Sequence, residues 1–139
     1  MTVPATSLYT ALAERLHAAG VATWNPAGIY TPGQTGITLT VMPAAPDRAV
    51  VLTVYDRDEH ADPRLTDERV RVQVRVRAAK GRPDSADALA EAVHAVLRAH
   101  HVTWSGVAIT RVHRRSYLPL GLDSNGRPEV SMNYEVLLP

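Results

Sequence analysis

Arg69-Val70-Arg71-Val72-Gln73-Val74-Arg75-Val76-Arg77 is the most regular stretch of the chain, and it decides the fold class. A strand turns successive side chains to opposite faces. Val70, Val72, Val74 and Val76 therefore share one face, and Arg69, Arg71, Gln73, Arg75 and Arg77 share the other. The first face is written for a core and the second for water, carboxylate or phosphate. Such a strand needs partner strands beside it and a layer of structure over its valines.

The flanking sequence supplies both. Ala49 to Tyr55 is a near-continuous apolar run, as in a strand at the centre of a sheet. Before it, Ile37, Leu39 and Val41 alternate with Thr38, Thr40 and Met42, and the turn Met42-Pro43-Ala44-Ala45-Pro46-Asp47 follows. Asp56 to Glu68 reads as a polar, mostly acidic loop. Leu8, Leu12, Leu16 and Ala19 recur at helical spacing, which predicts a helix over 7–19 with Thr6 or Ser7 as N-cap and Gly20 as its stop. Asn25-Pro26, Gly28, Pro32-Gly33 and Gly36 mark an irregular loop excursion near 22–36. After Gly81-Arg82-Pro83, an N-cap at Asp84 or Ser85 opens a second helix to about His100, with Leu89, Val93, Val96 and Leu97 as its apolar stripe. Val107 to Ser116 and Glu129 to Leu138 close the sheet, and Asn125-Gly126 predicts a tight turn in a hairpin arm near 117–128. The expectation is an α+β fold: a mainly antiparallel sheet of four to five strands, joined by hairpins, with two helices packed on one face.

With 139 residues the chain is long enough for one domain, 1–139, with its own core. It has no cysteine, which removes disulfides, thiolate nucleophiles and thiolate metal sites. Fifteen basic residues stand against fourteen acidic ones, too even a balance for general nucleic-acid binding. Met1 to Ser7 has no positive cluster ahead of an apolar run, and no apolar stretch approaches a membrane span, so neither a signal peptide nor a membrane partner is expected.

No residue pattern carries catalysis. None of the serines sits in a GxSxG elbow, no glycine pattern cradles a phosphate, and His94 with His101, two helical turns apart, lacks a carboxylate to complete a ligand set. A hydrolase built on His113 with Arg114 and Arg115 rests on proximity alone. The expectation is no enzyme, no cofactor and no metal.

Two features do need a partner. The guanidiniums of Arg69, Arg71, Arg75 and Arg77 on one strand face repel one another, so they face solvent, a subunit interface or nucleic acid. Asp56, Asp58, Glu59, Asp62, Asp67 and Glu68 could pair with them within a subunit or across to the next. Leu118, Leu120 and Leu122, on an arm that Pro119 and Gly121 interrupt, are exposed unless a neighbour or the sheet itself covers them. Asn125 and Arg127 share that arm. A small α+β nucleic-acid-binding module using the arginine face is the alternative reading, although that strand has no aromatic residue for stacking.

The order of these pieces resembles a known family. The Pro46-Asp47 turn, the strand Val70-Arg71-Val72-Gln73-Val74-Arg75-Val76-Arg77-Ala78, the arm from Asp123 to Glu129 and Val130-Ser131-Met132-Asn133-Tyr134 together resemble the tail terminator or minor capsid proteins of long-tailed bacteriophages. That resemblance, spanning Ser7 to Leu138, implies a non-enzymatic structural virion protein. It implies a homo-hexameric ring that caps the tail tube protein, ends tube polymerisation and meets the head-completion or connector protein, with genome DNA passing through the lumen. It also implies assembly in the host cytoplasm and a final place at the head-proximal end of the tail.

Overall fold

The computed structural model describes residues 3–139; Met1 and Thr2, part of the N-terminal stretch read above, lie outside the described residues. The elements are α1 (Ala5–Ala18), β1 (Gly36–Leu39), β2 (Ala49–Glu59), β3 (Glu68–Arg77), α2 (Ser85–Leu97), β4 (Ala99–Trp104), β5 (Val107–Leu122) and β6 (Pro128–Leu138). They build an α+β fold on one sheet in the order β1-β2-β3-β6-β5-β4. Every neighbouring pair is antiparallel except β1 with β2, which is parallel.

The sheet has six strands, not four to five. The additional one is β4, which begins at Ala99, within the end of the second helix as read above, and continues to Trp104. α2 stops at Leu97, and Arg98 is already extended at φ −62° and ψ 127°. Ser105 and Gly106 have φ of 49° and 80°, so a two-residue turn with both residues left-handed joins Trp104 to Val107. The twist of such a turn matches that of the strands it connects. His101 consequently lies in β4, not on the helix face of His94. The second departure is the parallel β1–β2 pair, Gly36 to Leu39 beside Ala49 to Leu52, where a hairpin was expected.

Residue patterns set the other boundaries. α1 starts at Ala5 behind Pro4, two to three residues earlier than a Thr6 or Ser7 cap implies, and the Pro4 carbonyl accepts the Ser7 and Leu8 N–H groups. Gly20 does end it: at φ 74° its N–H bonds the His17 carbonyl while that of Val21 bonds the Leu16 carbonyl. β2 runs on to Glu59 past a bulge at Tyr55, which shortens the acidic loop. β5 runs through Pro119 to Leu122, with Arg115 and Leu120 bulged. Pro119 is tolerated because β4 pairs with β5 only from Val107 to Val112, leaving the rest of β5 as an edge where a missing N–H costs little.

The valine face is buried as its alternation predicts: Val70, Val72 and Val76 are 0% exposed and Val74 1%. They join Val130, Met132, Tyr134 and Val136 of β6, Leu8, Leu12 and Leu16 of α1, and Ala90, Val93 and Leu97 of α2 in one hydrophobic cluster. Each fully buried valine or leucine contributes about 1.5–3 kcal/mol. The 22–36 excursion is irregular but fastened. Thr23 bridges to Gly36, the Tyr30 hydroxyl donates to the Ile37 carbonyl at 2.5 Å, and Arg48 Nη2 donates to the Gly33 carbonyl at 2.7 Å. No helix among the described residues is long and apolar enough to cross a membrane.

Candidate assembly surface

The sheet face opposite the valines carries the arginines, and their surroundings differ. Arg69 is exposed and makes no ion pair among the described residues. Arg71 Nη1 donates to Asp56 Oδ2, which sits across the β2–β3 ladder and comes from the stretch read as an acidic loop. Arg75 Nε donates at 2.6 Å to Glu129 Oε1 of β6, whose side chain is 8% exposed. Arg77 is buried, its Nε bonded to the Asp47 carbonyl at 2.7 Å and its Nη2 to the Pro46 carbonyl at 2.8 Å. Burial, with the charge of Arg127 nearby, draws its pKa below the usual guanidinium value. Three of the four stripe arginines thus have partners inside the chain.

Glu135 of β6 is a further member that the spacing of single residues does not reveal. Its side chain is 6% exposed and lies 3.3 Å from Arg115 Nη1 and 3.8 Å from Arg111 Nη2. The alternation of β6 puts Glu135 on the polar face, but only the register with β5 brings those two arginines to it.

The arm is the outer half of the β5–β6 hairpin. Leu118 is 58% exposed, Leu120 41% and Leu122 58%. Its tip is tied down within the chain. Asp123 Oδ1 accepts the Asn125 and Arg127 N–H groups at 2.9 Å, and these bonds, the one from Arg127 foremost, hold the Asp123 carboxyl below the usual carboxylate range. Arg127, 8% exposed, donates from Nε to Asp123 at 2.8 Å and from Nη1 to the Ala44 carbonyl at 2.8 Å and to Asp47 Oδ1 at 3.1 Å. Arg127 and Arg77 together clamp the 43–47 turn. The Asn125 side chain stays exposed at the tip.

A polar groove of about 620 Å³ lies where β4 begins, lined by His94, Arg98, His100, Arg111, His113 and Arg114 among others. His94 Nδ1 is 2.8 Å from the Tyr134 hydroxyl, and burial, then the charge of Arg114, lowers its pKa from 6.5. Arg114 bonds Glu91 at 3.0 Å, and the Tyr117 hydroxyl donates to Asp87, so both tie α2 to β5. Burial and that bond push the Tyr117 phenol up to about 12. Among the described residues no three His, Asp or Glu side chains are grouped as metal ligands. These groups hold helix to sheet, while the exposed and charged residues gather on the open face, the arm and the sheet ends.

Comparison with known proteins places the chain in a family. The profile of the family described as "Bacteriophage tail terminator protein" matches residues 15–138, and the chain belongs to that family. It is a structural protein of a phage-type tail. No curated protein matches the sequence. A chain from the "Virion of native gene transfer agent (GTA) particle" is similar in fold at TM-score 0.67 and 14% identity, over 96% of each chain. A second solved chain is similar at TM-score 0.51 and 17% identity, over 94% of this chain and 91% of that one.

Proposed function

We propose that six copies of the chain close into a ring that caps the finished tail tube, ends its polymerisation and offers its other side to the head-completion or connector protein. Genome DNA passes through the lumen. Each copy is a single unit over 1–139, with both helices on the valine face and the arginine face and arm left for assembly. The protein is made in the host cytoplasm, ends in the virion at the head-proximal end of the tail, and works without catalysis, cofactor or metal.

The observation that carries this reading, beside family membership, is the exposure of Leu118, Leu120 and Leu122, Leu118 opposite Ser131 and Leu122 opposite Pro128, on a hairpin whose tip is held by the hydrogen bonds of Asp123 and Arg127. Exposed leucines on a fastened hairpin are suited to a protein partner. The charge pattern weighs against the nucleic-acid module: Arg71, Arg75 and Arg77 are already matched by Asp56, Glu129 and two backbone carbonyls. Matched guanidiniums release few counterions on meeting phosphate, which also suits a channel through which DNA has to slide.

The test is tube assembly with and without the chain. Tube protein alone should give long filaments of scattered length, and adding the chain should stop their growth, with a six-chain ring at one end in electron micrographs. Filaments that keep growing in its presence would overturn the reading.

A further inference from the structure

Strand register lines residues into rows across the sheet. On the arginine face His113 of β5, Glu135 of β6, Arg71 of β3 and Asp56 of β2 stand in one row; Arg111, Leu137, Arg69 and Asp58 stand in the next row of that face. Each row begins on a basic side chain at the β5 end and finishes on a carboxylate at the β2 end. Arg115, bulged beside His113, adds a second guanidinium to the β5 end. Arg111, His113, Arg115, Asp56 and Asp58 are all exposed, and Asp58 makes no ion pair among the described residues.

The two ends also match in outline. β4 covers β5 only along Val107 to Val112, and β1 covers β2 only along Ala49 to Leu52. In the rows of Glu135 and Asn133 neither lateral edge is covered by another strand: His113 to Ser116 form one side and Thr53 to Asp56 the other, where the Tyr9 hydroxyl of α1 takes the Val54 N–H. β2, β3, β6 and β5 alternate in direction, so β2 and β5 run opposite ways. A second copy laid alongside in the same orientation meets the first with its β2 antiparallel to β5 and its acidic residues beside the basic ones. The β4 step of one copy then sits over the part of β2 that no strand covers, and the β1 step of the next lies beside the arm leucines.

We propose that neighbouring subunits join by the two ends of the sheet. The β4–β5 end of one copy meets the β1–β2 end of the next, with Arg111, His113 and Arg115 set against Asp56 and Asp58. The occupant of each end is a second copy of this chain, argued from charge complementarity and matching steps; the inference rests on the ring reading and names its seam. The contact is heterologous, so repetition closes a ring if the rotation fits. Bulges at Tyr55 and Arg115, and the missing N–H of Pro119, break the continuous ladder that would let edges pair indefinitely. The joint is accordingly made by side chains.

Charge reversal tests it. Arg115→Glu and Asp58→Arg should each reduce the six-chain assembly to monomer in light scattering. Mixing the two variants, or combining both changes in one chain, should restore it. Because Arg115 also touches Glu135, a second measurement avoids its effect on folding. The chain has no cysteine, so His113→Cys with Asp56→Cys should give, on oxidation, a ladder of linked chains up to six, while either cysteine alone gives none. A wild-type ring that survives both single reversals, or a ladder that stops at two chains, overturns the seam and leaves the ring standing. A wild-type chain that is monomeric both in solution and in tails overturns the ring and the seam with it.

Discussion

Arg77 and Arg69 bracket the same strand and have opposite circumstances. Arg77 is 2% exposed and holds two carbonyls of the 43–47 turn, so Arg77→Ala should destabilise the monomer by about 1–3 kcal/mol through the acceptors it strands. Arg77→Lys should recover only part of that, because an ammonium cannot span both carbonyls as a planar fork does. Urea titration measures both; an Arg69→Ala control should leave the midpoint unmoved. His94 gives the chain a pH dependence of known sign. Its pKa is lowered from 6.5 by burial, so the unfolded chain binds the proton more readily, and the stability it contributes is present above about 6.5 and lost as pH falls through the folded value. Thermal melting from pH 7.5 downward should show this loss, and His94→Gln should flatten it. A slope that survives the substitution would assign the effect to other groups.

The β4–β5 hairpin turns on Ser105-Gly106. A Cβ at Gly106 would meet nothing within 4 Å, so Gly106→Ala should cost only the strain of φ 80°, about 1–2 kcal/mol, read as a lower melting temperature. On the arm the expectation is reversed. Leu118, Leu120 and Leu122 are 41–58% exposed, so changing all three to Ser should leave the monomer's circular dichroism and melting close to wild type and abolish assembly. Normal assembly of that variant would remove the arm from the contact. These two hairpins also show what could be read from the residues. Strict alternation in β3 and the Gly20 stop of α1 are local signals and were legible. β4 was not, because Arg98-Ala99-His100-His101 continues the helical composition of α2, and the signal that separates them is the Ser105-Gly106 pair between two β-branched stretches. The parallel β1–β2 pair has no local signature at all. The Arg75–Glu129 and Arg115–Glu135 pairs join residues far apart in sequence, so the alternation shows the face and only the sheet register shows the partner.

At the scale of the whole molecule, two rows of the arginine face separate charge, basic at the β5 end and acidic at the β2 end. Exposed ion pairs are weak, about 0–1 kcal/mol each, and are screened by salt. Assembly should therefore loosen as sodium chloride is raised from 50 mM toward 1 M, while the monomer's melting point moves little, since the valine face holds the core. Sedimentation at a series of salt concentrations reads the first and calorimetry the second. Reversing Arg71 and Arg75 together is a harsher change than reversing exposed charges, because Arg75→Glu sets a second carboxylate against the buried Glu129; that double variant should lose monomer stability as well as assembly.

The alternation of strand direction that arranges those rows also sorts the loops. The 60–67 loop and the Ser105-Gly106 turn leave one end of the strands; the 43–47 turn and the hairpin tip at 123–127 leave the other. If every copy stands the same way up, those two sets become the opposite rims of a washer, one carrying Asp67 and Arg64, the other Asp47 and Asn125 over the buried clamp of Arg77 and Arg127. Such a washer cannot be flipped over without presenting different chemistry to whatever it sits on. In the proposed ring, a single small polypeptide would thereby acquire polarity, and with it a means to tell one neighbour in the tail from the other.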